Sequence, residues 1–149
     1  MSGSDVSFAA VPSRLRDLTV WRVDISWSGA NPSAAFPASI LGGIGGGLAG
    51  GGVGGAYLFK VRTIPGTGGA QPSANYGVTL TDSDGMDLLQ GAGTGLSNTT
   101  AQDTVPQQDS SQALYGPVWI DPSAAPTFNC SNTASGATGT ARFYFTASG

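Results

Sequence analysis

The residues best placed to do chemistry are three aspartates within one short stretch, Asp82, Asp84 and Asp87 in TDSDGMD. Closely spaced carboxylates can hold a divalent cation or divide acid and base roles in hydrolysis. The EF-hand pattern needs more ligands at alternate positions and a terminal Glu, and both are missing. Asp84-Gly85 is first of all a turn dipeptide, so the stretch reads as a solvated turn, with an adventitious cation site as the other reading. Nothing in the spacing positively supports a paired-carboxylate hydrolase.

Other catalytic sets fail on composition. The chain has no His, no Glu and a single Lys, and all nine acids are Asp. Serine, threonine and cysteine nucleophiles therefore lack the usual base, and a Ser–Lys pair would have to use Lys60, which lies on an ordinary strand face. Cys130, in FNCS, reads as a structural residue of a strand. As the lone cysteine it cannot form an intramolecular disulfide, which fits a reducing site of synthesis. The expectation is a protein that is not an enzyme, with no catalytic, cofactor-binding or metal-ligating residues and no cofactor.

A net charge of −3 argues against nucleic acid as a partner, because phosphates demand a basic stripe. Arg14, Arg16, Arg22, Lys60, Arg62 and Arg142 are spread too widely along the chain to form one. The 149 residues suit one domain, residues 1–149, large enough to bury a core without disulfides or metal. With 24 Gly and only 10% charged residues, the composition is that of a β-rich protein with uncharged polar surfaces.

Alternation supplies the elements that must position these groups. Thr19, Trp21, Val23, Ile25 and Trp27 share one face of a strand, with Val20, Arg22, Asp24 and Ser26 on the other. From Ala56 to Leu89 two strand patterns follow, Tyr57, Phe59 and Val61 against Leu58, Lys60 and Arg62, then Tyr76, Val78 and Leu80 against Gly77, Thr79 and Thr81. They read as a central antiparallel hairpin. Ala113–Ile120 is an edge strand or one broken at Gly116-Pro117, Pro126–Asn132 is a short strand, and Ala141, Phe143 and Phe145 mark the inner face of a closing one. The fold class is all-β: a single-domain antiparallel β-sandwich or jelly-roll-like barrel of about six to eight strands.

Two segments stand apart. Residues 1–12 form an N-terminal arm or edge strand whose Val6, Phe8 and Val11 could dock on a neighbouring subunit. Met1–Asp5 has neither a basic nor an apolar signal region, so synthesis in the cytoplasm is expected. Residues 39–55 form a glycine-rich insertion, with ten glycines among the fourteen residues from Gly42 to Gly55. As a membrane helix it is handicapped by a cost of roughly 1 kcal/mol per glycine relative to Ala, so no membrane partner is expected. As a phosphate loop it lacks an adjacent helix and cation. It reads as a long excursion whose Ile40, Leu41, Ile44, Leu48 and Val53 settle on a neighbouring subunit.

The order VWRVDISW, then YLFKVRTIPGTGGAQPSANYGVTLTDSDGMDLLQGAG, then TGTARFYF resembles a family of small proteins encoded among the virion structural genes of tailed bacteriophages. The resemblance is strongest from Tyr57 to Gly93 and covers about half the chain. It implies a β-rich virion component made in the host cytoplasm, without catalytic residues. The first expectation is a capsid decoration (cement) protein on the capsid surface, whose partners are the major capsid protein and copies of itself as a homo-oligomer. The other is a tail, neck or fibre component that binds another tail protein or a host glycan, with Tyr115, Trp119 and Asp121 as the residues to present.

Overall fold

The first strands of the chain and its last lie side by side. In the computed structural model, which describes residues 5–15, 18–37, 40, 56–89, 91–109, 114–115, 118–120 and 124–146, β1 (Asp5–Leu15) runs antiparallel to β2 (Leu18–Ser28) over its whole length. The other flank of β2 is taken by β11 (Thr138–Thr146), and the far flank of β11 by β4 (Tyr57–Pro65). β6 (Gln102–Thr104) and β9 (Val118–Trp119) both pair with β4, giving a six-stranded sheet in the order β1-β2-β11-β4-β6 with β9 beside β4. A second sheet has β10 (Thr127–Ser131) between β3 (Ser33–Ala35) and β5 (Gly77–Thr81). β7 (Gln107–Asp109) and β8 (Leu114–Tyr115) make a separate ribbon.

The all-β class and its antiparallel pairing follow from period-two alternation, because every second side chain must leave water. Val23, Ile25 and Trp27 of β2, and Ala141, Phe143 and Phe145 of β11, are buried as the pattern predicts. Opposite them lie Val78 and Leu80 of β5 and Phe128 and Cys130 of β10. Phe143 joins the layers: its ring meets Phe128 edge-on at 6.1 Å and Phe36 at 6.3 Å. Trp27 packs against Tyr76 at 5.7 Å and covers Gly139, where a Cβ would collide with the indole. Burial of this kind is worth about 1.5–3 kcal/mol per large side chain.

The paths of the two sheets hold eight strands, five in the larger and three in the smaller, as expected, and the described residues add the short β9 and the β7–β8 ribbon. Two expectations change. The hairpin expected from Tyr57–Val61 and Tyr76–Leu80 does not exist: β4 belongs to the larger sheet and β5 to the smaller. Their apolar residues meet across the core, an arrangement that satisfies the same alternation without a hydrogen bond between the strands. Gly66 starts the crossing, donating its N–H to the Thr138 carbonyl at 2.9 Å in a place too tight for a side chain. Lastly, Phe59 is an extra residue in the pairing of β4 with β11, since Lys60 lies opposite Tyr144 and Leu58 opposite Phe145. That bulge reverses the faces, so Leu58, Val61 and Thr63 point inward while Tyr57, Phe59 and Lys60 are half-buried.

Candidate functional site

The acidic stretch is used up by its own backbone. The chain reverses at Gly85, whose φ of 84° suits glycine, and Gly85 N–H donates to the Asp82 carbonyl at 3.0 Å. Asp82 Oδ1 accepts the N–H groups of Asp84 and Met86 at 2.9 and 3.0 Å. Asp87 Oδ1 accepts those of Leu80 and Leu89, and its Oδ2 that of Gly91. This carboxylate thus ties the end of β5 to the segment that covers its free edge, where Leu88 N–H also donates to the Leu80 carbonyl at 2.7 Å. Asp84 alone keeps an exposed side chain with no hydrogen bond from it among the described residues. No group of three or more His, Cys, Asp or Glu side chains is arranged to hold a metal among those residues.

The remaining candidates are equally committed or lie elsewhere. Cys130 is buried in β10, and burial pushes its thiol well above the usual range. Burial likewise pushes the Tyr76 phenol up to about 12, with the Thr63 hydroxyl opposing the shift. Val6 and Phe8 are half-buried against the protein's own core, Phe8 meeting Phe36 at 5.3 Å, and Ile40 joins that core. Of the two forms expected for this segment, arm or edge strand, the residues from Asp5 on take the edge strand. Val11 lies in β1 by its backbone, as Tyr115 does in β8 and Trp119 in β9. Leu41, Ile44, Leu48, Val53 and Asp121 lie outside the described residues.

Pairing, which no single segment reveals, assembles the polar surface on the outward face of the larger sheet. Four of the six cations, treated above as spread out, come together there: Arg22, Lys60, Arg62 and Arg142. Arg22 grips Asp24 with two contacts, Nε to Oδ1 at 2.7 Å and a terminal nitrogen to Oδ2 at 3.0 Å. Arg62 pairs with Asp103 at 3.1 Å, and Lys60 reaches the same carboxylate at 3.8 Å while lying 5.0 Å over the Tyr144 ring. Arg142 is directly opposite Arg62, a like-charge pairing that costs stability. Its only contact to an acid among the described residues is a 3.7 Å ion pair with Asp24.

Beside this charged row the sheet forms a trough of about 370 Å³. Ser7, Ser26, Thr140 and Ile64 make one cross-strand row in it, and Asp5, Ser28 and Thr138 the next. No internal hydrogen bond engages any of these five hydroxyls among the described residues. Elsewhere hydroxyls are spent on the fold, as where Thr133 Oγ1 donates to the Gly29 carbonyl at 2.9 Å and accepts the Asn31 N–H at 2.7 Å. The strand alternation marks Arg22, Asp24, Ser26, Thr140 and Arg142 as the polar half of their strands. Only the register brings those halves together.

At the free margin of the same sheet, β1 presents an eleven-residue edge. Among the described residues it pairs with β2 alone. Pro12, which has no N–H, is accommodated because an edge strand is paired on one flank only. Among the described residues no helix is long and apolar enough to cross a membrane. Comparison of the chain with protein-family models, with curated proteins and with solved structures finds no match.

Proposed function

We propose that this protein is a non-enzymatic structural subunit of a bacteriophage virion, a decoration protein that bridges major capsid subunits on the head surface. The observation that carries the reading is the long edge of β1, paired on one flank only among the described residues. Such an edge is a template for strand addition, in which the backbone of a partner completes the sheet. Natural proteins usually blunt edges of this length, and here Pro12 does so towards one end, which leaves Asp5–Val11 as the stretch that suits assembly. Each added hydrogen bond contributes about 0.5–1.5 kcal/mol net, and repetition over a lattice turns a weak single contact into firm attachment.

Half-buried Val6 and Phe8 support this role from within, holding β1 against the core so that its outer flank is presented on a rigid element. The glycine-rich residues 39–55, with Leu41, Ile44, Leu48 and Val53, are the second candidate contact, on the sequence argument alone. The resemblance of the sequence motifs, in their order, to small virion proteins of tailed phages supports the same reading.

The test is the number of copies per particle, by quantitative mass spectrometry of purified virions against the major capsid protein. A ratio near one, or a simple fraction of it, supports decoration of the lattice. A handful of copies moves the protein to the tail, neck or fibre, and absence from particles overturns the virion reading altogether.

A further inference from the structure

The outward face of the larger sheet combines three features that nothing in the lattice role requires. Five uncommitted hydroxyls converge on the trough, from Ser7, Ser26, Ser28, Thr138 and Thr140. Two residues further along β11 and β4 stand Arg142 and Arg62, facing one another without an acid between them. Beyond them lie Tyr144 and Phe59, with ring centres 6.3 Å apart. From Thr138 to Tyr144 this path follows about 20 Å of strand.

We infer that this face binds an acidic oligosaccharide, a chain of neutral sugars ending in one carboxylate-bearing sugar, along β11. Hydroxyl groups both donate and accept, as sugar hydroxyls do, so a cluster of them in a shallow trough matches a polyhydroxylated ligand better than an apolar or a multiply charged one. A carboxylate placed between Arg62 and Arg142 relieves their opposition and gains charge-assisted hydrogen bonds. Arg142 has donors to give, since its side chain is 35% exposed and its one contact to an acid among the described residues, the 3.7 Å ion pair with Asp24, uses Nε and leaves the terminal nitrogens. Arg62 has a side chain that is 38% exposed and meets Asp103 through one terminal nitrogen.

Charge also sets the direction of the ligand. Asp5 lines the trough at the end away from the arginines, where it accepts hydrogen bonds from neutral sugar hydroxyls and repels a carboxylate. The acidic group therefore sits at the arginine pair and the neutral hydroxyls in the trough. The face carries Arg22, Lys60, Arg62 and Arg142 against Asp5, Asp24 and Asp103, in a chain whose net charge is −3. Its local sign is thus opposite to that of the whole molecule. The inference does not depend on where in a virion the subunit resides, because strand addition at β1 uses the edge of the sheet and this ligand its face.

The experiment is an NMR titration of the ¹⁵N-labelled full chain with 3′-sialyllactose, which has one carboxylate at one end of a neutral chain, and with lactose as the neutral control. The expected result is amide shifts clustered at residues 5–7, 26–28, 62–66 and 138–142, weakening as salt is added. Affinity should fall about tenfold in Arg62→Gln, equivalent to about 1.4 kcal/mol. Ser26→Asp, at an exposed position, should abolish binding while leaving the rest of the spectrum in place. Absence of shifts at millimolar ligand, equal shifts with lactose, or shifts confined to other residues would overturn the inference. Concentration-dependent shifts at the same amides without ligand would overturn it too, by making the face a contact between copies of the chain.

Discussion

Two polar regions of this molecule look alike in composition and behave in opposite ways. The turn from Thr81 to Gly91 has three aspartates within a few residues, and the outer face of the larger sheet has hydroxyls and charges contributed by five strands. In the turn, Asp82 and Asp87 accept backbone N–H groups and have little left to offer a ligand. On the sheet face five hydroxyls are unspent among the described residues, where Arg142 is held by one long ion pair. A local cluster of polar residues tends to satisfy itself through turns and caps, because its backbone lies within reach. The trough hydroxyls, brought together by strand pairing, point away from their own backbone and remain available, whereas Asn129 of the smaller sheet meets partners on both flanks in Ser33, Thr79 and Thr81.

The contrast is sharpest in its cost when broken. Asp87→Ala should destabilise the protein by about 2–4 kcal/mol, because three N–H groups lose a charged acceptor at once. Urea unfolding would read this as a lower midpoint at unchanged slope. A loss under 0.5 kcal/mol would return Asp87 to the pool of ligand groups.

Next in size is a pH effect at polar groups that are neither spent on turns nor open to water. Tyr76 and Cys130 hold their protons in the folded state to higher pH than their ordinary values of 10.0 and 9.0. The unfolded chain then loses protons first, so stability is intact below about pH 9 and falls as pH rises beyond it. The expected loss is about 1–3 kcal/mol by the high end of this range. Tyr76→Phe should flatten the upper part of the curve and Cys130→Ala its onset, when unfolding is followed at a series of alkaline pH values.

Asp82→Ala should cost about 1–2 kcal/mol, the usual effect of removing a side-chain acceptor from a turn or cap. Asp84→Ala, two residues away, should change stability by less than about 0.5 kcal/mol. Equal losses at the two positions would dissolve the distinction between a capping carboxylate and a solvated one. Smallest of all, Ser26→Ala combined with Thr140→Ala should leave thermal stability within about 0.5 kcal/mol of the parent, as expected for hydroxyls that make no internal bond. A larger loss would show that the trough hydroxyls belong to the fold.

Much of the fold was legible because alternation is a local signal. Val23, Ile25 and Trp27 are inside for the reason the pattern gives, as are Val78 and Leu80, and Ala141, Phe143 and Phe145. The turn at Asp84-Gly85 was legible too, since the positive φ it needs is a property of the residues themselves. The reversal of faces in β4 was not, because the bulge at Phe59 exists only relative to Tyr144 and Phe145 of a strand eighty residues away. Nor was the separation of β4 from β5: two adjacent alternating segments satisfy a hairpin and a two-layer core equally well. The candidate binding face had a legible half, the polar positions of each strand, and a hidden half, the pairing that aligns them.

By itself, then, the amino-acid order determines an all-β chain with defined inner faces, an aspartate turn, a single unpaired cysteine and no histidine to serve as a base. Each of these rests on residue identity or on spacing within one strand, where the interacting groups are a few positions apart. Tertiary structure alone decided that β11 lies beside β2, that Arg62 faces Arg142, and that five hydroxyls from three strands share one trough. Those outcomes depend on the register between segments distant in sequence, which is settled by burying all the inner faces at once.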